Sequence, residues 1–135
     1  MYILDTNACI ALLEERSAKL TEHFARATEA GGRFHISSIV LAELWYGIGK
    51  SQRPQKTEAR LNFFLSWPLS PLPFDDQDAV IAGKIRAELE NKGRMIGPFD
   101  TLIAAQALRH KYILITANVR EFSRVNGLQW EDWMK

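Results

Sequence analysis

Apolar positions fall in short continuous runs separated by longer amphipathic stretches. Tyr2, Ile3 and Leu4 form one such run, followed at once by Asp5-Thr6-Asn7, side chains suited to capping a helix. This reads as a buried strand passing directly into a helix over residues 6 to about 15. A second amphipathic helix is predicted from 18 to about 30, stopped by Gly31-Gly32. A strand follows at 34–37, and Ser38 is placed to cap a helix running through Glu43 to about 50. Pro54 suits the first turn of a helix reaching about 64. A short extended segment is expected at 69–74, and Asp75 or Asp76 caps a long helix ending near 91. Pro98 opens a helix to 109. Residues 112–116 are the strongest strand, too short an apolar run for a helix. A last extended piece surrounds 128–130. Strands that alternate with helices and are apolar on both sides predict an α/β fold. Its short parallel sheet has four to five strands, covered by helices on both faces. Ligands in such folds bind beyond the carboxyl ends of the strands, where Asp5, Thr116 and Asn118 all fall.

Composition narrows the classes. The chain has 135 residues, 17 Lys plus Arg, 16 Asp plus Glu, a net charge of +1 and 47% hydrophobic content. These values exclude disorder, collagen and coiled coils, and they suit one domain over 1–135. No apolar run approaches the roughly 20 residues of a membrane span. The start carries no basic segment or apolar run of signal-peptide type. With Cys9 as the lone cysteine, a reducing cytoplasmic setting is expected. The near-zero net charge argues against a large basic nucleic-acid surface. Local basic clusters remain, including Lys84, Arg86, Lys92 and Arg94.

Three acids stand apart. Glu43, mid-helix, has Ile39, Val40, Tyr46 and Gly47 as its helical neighbours. Asp100 has Ile96, Gly97, Ile103 and Ala104, and Asp5 ends a buried strand. None has a cation nearby in sequence. Asp5 and Asp100 could each be an ordinary helix-start acid, and Glu43 could pair with a distant base. Together, three unpaired carboxylates call for a distant cation, shared protonation or a divalent metal ion. Mg²⁺ or Mn²⁺, which prefer oxygen ligands, fit best. Alternative chemistries are poorly supported. His23, His35 and His110 lack zinc spacing, no phosphate-binding glycine loop is present, and Cys9 reads as buried packing. Trp45 and Tyr46 are adjacent on a helix, so one of them should face solvent or a partner.

Four segments in this order resemble a PIN domain, and more narrowly the VapC toxins of bacterial toxin–antitoxin pairs. They are Tyr-Ile-Leu-Asp5-Thr6-Asn7, Ser37-Ser38 through Glu43 to Gly47, Ile96-Gly97-Pro98-Phe99-Asp100, and Leu114-Ile115-Thr116-Ala-Asn118 through Arg120-Glu121-Phe122. The resemblance implies a PIN-like fold and a Mg²⁺-dependent endoribonuclease, with Mn²⁺ able to substitute. It assigns Asp5, Glu43 and Asp100 to the acidic positions, with Asp5 and Asp100 on the metal. Asn118 stands at a fourth position often held by Asp, and Glu121 is close enough to compensate. Thr6 and Thr116 match positions that orient the acids. The implied reaction leaves a 5′-phosphate and a 3′-hydroxyl. The implied substrate is structured RNA such as tRNA, with Arg86, Lys92, Arg94 and Arg120 as expected phosphate contacts. The implied partners are a second copy of the chain and a VapB-type antitoxin, which carries the assembly onto operator DNA. A housekeeping PIN nuclease in RNA maturation is a second reading. A Mg²⁺-dependent receiver-like module is a third, ill-suited because Asp100 opens a helix after Pro98 instead of ending a strand.

Overall fold

The computed structural model describes residues 1–135. The chain runs β1 (Tyr2–Leu4), α1 (Thr6–Leu13), α2 (Ala18–Glu29), β2 (Phe34–Ser37), α3 (Ser38–Lys50) and α4 (Pro54–Leu65). It continues with β3 (Leu69–Leu72), α5 (Asp76–Asn91), α6 (Pro98–His110), β4 (Ile113–Ile115), α7 (Val119–Phe122) and β5 (Trp130–Glu131). All strand pairings are parallel, in the order β3-β2-β1-β4-β5. The expected α/β architecture is present, with five strands flanked by seven helices.

The strand order follows from composition. β1 and β4 are short apolar runs whose Ile3, Leu4, Leu114 and Ile115 are fully buried, so both lie inside the sheet. β3 contains Pro71, which lacks a backbone N–H, and it occupies an edge where that loss is tolerated. The chain goes from β1 outward through β2 to β3, then crosses back to β4 on the other side of β1. The carboxyl ends of β1 and β4 therefore flank the topological switch point, the usual ligand crevice of a parallel sheet.

Local chemistry sets the helix ends. Asp5 caps α1, its Oδ1 accepting the Ala8 N–H at 2.7 Å. Gly31, at φ +90°, turns the chain after α2 through the left-handed region that suits glycine. Asp75 caps α5 in a reciprocal capping box with Asp78.

Four details depart from the sequence reading. Ser37, not Ser38, caps α3: its Oγ accepts the Ile39 N–H at 3.0 Å, while the Ser38 Oγ accepts from the Phe74 N–H. The helix begins one residue early because Ser37 is already buried at the end of β2. The one-turn α7 was not expected, since four residues are too few for a periodic pattern. β5 is at 130–131, at the end of the segment expected around 128–130. Trp45 and Tyr46 are both exposed, because α3 turns that whole edge outward. No helix is long and apolar enough to cross a membrane.

Candidate active site

Asp5 leaves the end of β1 only 4% exposed. Its two oxygens have separate partners. Oδ1 takes the Ala8 N–H of the helix it caps, and Oδ2 takes the Thr116 hydroxyl at 2.5 Å from the end of β4. The ladder between β1 and β4 sets that reach, with Asp5 N–H donating to the Ile115 carbonyl at 3.3 Å. Asp5 therefore caps α1 through one oxygen and is held by β4 through the other.

Glu43 projects from α3 toward the same edge and accepts the Thr6 hydroxyl on Oε1 at 2.7 Å. Asp100 is on the first turn of α6, with Gly97, not Asp100, as the cap. Its Oδ2 lies 3.5 Å from where a Gly97 side chain would begin. The Asn118 amide donates from Nδ2 to Asp100 Oδ2 at 3.3 Å and to Glu121 Oε2 at 2.6 Å. Asn118 is itself held by its backbone N–H on the Thr116 hydroxyl, 2.9 Å away. Four elements, the β1–α1 junction, α3, α6 and α7, thus place Asp5, Glu43, Asp100, Asn118 and Glu121 around one crevice.

The electrostatics are those of uncompensated negative charge. Burial raises the Asp5 carboxyl above its ordinary range, with Glu43 and Asp132 adding repulsion and the Thr116 and Ala8 hydrogen bonds opposing it. Asp100 is pushed up to about 6 by burial first, then by Asp5, Glu121 and Glu43, against the Asn118 hydrogen bond. The five ion pairs of the chain join Arg16–Glu14, Arg86–Glu90, Lys92–Glu88 and Arg109 with Asp75 and Asp78, so none reaches these acids. The distant base that would neutralise Glu43 does not appear. Such a set of hard oxygen donors fits a divalent cation. No three acidic, His or Cys side chains surround one point at ligand distance.

Asp132, just beyond β5 on the same edge, was not singled out from the sequence. Its only signal there was its place one residue after a strand. Of the four expected phosphate contacts, Arg86 and Lys92 are exposed on or just after α5 and make ion pairs one turn back or ahead. Arg94 and Arg120 make no ion pair and are exposed. Arg86 lines a cleft of about 530 Å³ with Phe99, the exposed neighbour of Asp100. Cys9 is fully buried, and burial together with Asp5 raises its thiol well above the usual range, which leaves it unreactive.

The PIN-domain family model matches residues 2–128. The tRNA(fMet)-specific endonuclease VapC of Shigella flexneri is 42% identical over 132 residues, spanning 98% of this chain and 97% of the relative. The chain belongs to the PIN-domain family, among the VapC ribonucleases. Ribonuclease VapC2 of Haemophilus influenzae is 38% identical over 98% of both chains. The fold agrees with the toxin chain of VapBC2 from Rickettsia felis, solved bound to a DNA fragment from its promoter. That match has a TM-score of 0.91 at 36% identity and covers 98% of each chain. A second match, to DNA-bound VapBC from Salmonella typhimurium, has a TM-score of 0.89 at 41% identity, covering 98% and 97%. As a PIN-domain VapC, this chain is an endoribonuclease of a divalent-metal-dependent family.

Proposed function

We propose that this VapC-type ribonuclease uses Asp5 and Asp100 to hold one Mg²⁺, with Mn²⁺ able to take its place, and cuts structured RNA, tRNA among its substrates. The observation that supports the reading is the acid set at the β1/β4 switch point, which no Lys or Arg neutralises. Bound there, the cation supplies positive charge to the scissile phosphodiester and acidifies the attacking water.

The protein's own part is orientation. Thr116 and the Ala8 N–H hold the two oxygens of Asp5, fixing the carboxylate plane. Thr6 occupies Oε1 of Glu43 and leaves the other oxygen to accept from water. Asn118 keeps Asp100 and Glu121 together although both are negative, so the fourth position is served by an amide and an acid jointly. In-line attack by water leaves a 5′-phosphate and a 3′-hydroxyl. Arg86, Lys92, Arg94 and Arg120 are proposed phosphate contacts, and single-stranded loops are the accessible targets.

The solved relatives are VapBC complexes bound to DNA, in the Rickettsia felis case a fragment from their promoter. By that likeness the chain acts in the cytoplasm as a homodimer, held inactive by a VapB-type antitoxin that supplies the operator contact. The exposed Trp45 and Tyr46 provide apolar area for such contacts. The test is cleavage of tRNA by purified protein in Mg²⁺, with the new 5′ ends sequenced. Cleavage that continues at full rate in EDTA overturns the mechanism.

A further inference from the structure

α7 has four residues, too few to be stable as an isolated helix, yet it carries Glu121 and follows directly on Asn118. Phe122 and Val125 pin its apolar side in the core. Its polar side is tied by Arg124, whose Nη1 donates to the Met95 carbonyl at 2.8 Å. Met95 lies on the connection that ends at Gly97, the cap residue against which Asp100 folds back. The Nε of Arg124 is buried without a partner. Burying an N–H without an acceptor costs stability, so the guanidinium sits there at a penalty. Arg124 pairs with no carboxylate, and it is not among the groups that shift Asp100. A role as counter-charge is therefore a poor account of it.

We infer that Arg124 is a positioning residue, which fixes the separation of Asp100 and Glu121 by strapping the segment after α7 to the connection before α6. Asn118 bridges the two acids on the inside, and Arg124 bridges their two supporting segments on the outside. This inference rests on the proposed placement of the cation on Asp5 and Asp100, with Glu121 beside them. Asn126 offers an internal control: its Nδ2 ties the same segment to Glu88 at 2.8 Å, but to α5 and not to the connection that carries Asp100.

The experiment measures Mn²⁺ binding by electron paramagnetic resonance, alongside RNA cleavage, on the full chain at a temperature where circular dichroism shows each variant folded. Arg124→Met should weaken Mn²⁺ binding roughly 10- to 100-fold, the usual effect of removing an outer support of a metal site. Asn126→Ala should bind as the wild type does. Arg124→Lys, which reaches the same carbonyl with one ammonium, should show an intermediate loss, and it carries the comparison if Arg124→Met does not fold. Wild-type binding in both Arg124 variants, or equal losses in Arg124→Met and Asn126→Ala, overturns the inference while leaving the proposed function standing. A wild-type protein that binds no Mn²⁺ and cuts no RNA overturns both.

Discussion

The Thr116 hydroxyl donates to Asp5 Oδ2 across 2.5 Å, joining residues 111 apart in the chain. Thr116 also accepts the Asn118 N–H on the same oxygen and donates its own backbone N–H to the Glu131 carbonyl. One residue, through its hydroxyl and its backbone N–H, thus connects the ends of β1, β4 and β5 with the start of α7.

Thr116→Val keeps the shape and removes the donor. A buried carboxylate oxygen then loses its partner, at about 1–3 kcal/mol. Cleavage should fall roughly 10- to 100-fold in kcat, as for other outer supports of a metal site. Thr116→Ser should restore most of it. Thermal unfolding and single-substrate kinetics on the two variants measure both effects, and an unchanged kcat in Thr116→Val would count against the orienting role.

Asp5→Asn separates the two duties of one residue. Asn caps helices as well as Asp does, so α1 should keep its start and the melting temperature should not fall. Cleavage should vanish, because the buried negative oxygen is gone. A large loss of stability together with lost activity would mean that the cap was the main role of Asp5.

Asp100 gives a pH signature. Its folded carboxyl titrates at about 6, above the ordinary 3.8, so the metal-free protein holds a proton there more tightly than the unfolded chain does. The Asp100 contribution to stability is then fully present below about pH 4 and is lost as pH rises through about 6. Asp100→Asn should stabilise the metal-free protein by about 1 kcal/mol at pH 7.5, a figure discounted for partial solvent screening. The gain should disappear by pH 4. Denaturant melts of both proteins in EDTA at the two pH values test this, and a gain independent of pH would refute it.

Arg109 tests a part of the molecule away from the acids. It bonds Asp78, whose side chain is 0% exposed, at 2.9 Å and Asp75 at 2.6 Å. Arg109→Met leaves the buried Asp78 carboxylate without its base and should lower the thermal unfolding midpoint measurably. Arg109 also holds Asp75 down to about 2, chiefly by its hydrogen bond, so that acid's share of stability is lost between pH 3.8 and about 2. The variant should lose this acid dependence, and its kcat per folded molecule should match the wild type.

Much of the site was legible because of where the acids fall. Asp5 follows a three-residue apolar run, and Glu43 and Asp100 have no base within a helical turn. Desolvation of unpaired carboxylates is a local property that spacing exposes. The resemblance added Asn118, Glu121 and the two threonines. Asp132 and Arg124 were missed, since each matters through neighbours that no sequence period brings together.

The sequence by itself determined the alternation of strand and helix and which carboxylates would lack a base. Those are consequences of side-chain volume, backbone donors and short-range charge, all fixed within a few residues. Only the tertiary structure decided that β1 lies between β2 and β4, that Thr116 therefore reaches Asp5, and that one amide of Asn118 spans Asp100 and Glu121. Strand order and hydrogen-bond partners depend on closing long loops around a shared core, a sum over the whole chain that no local stretch contains.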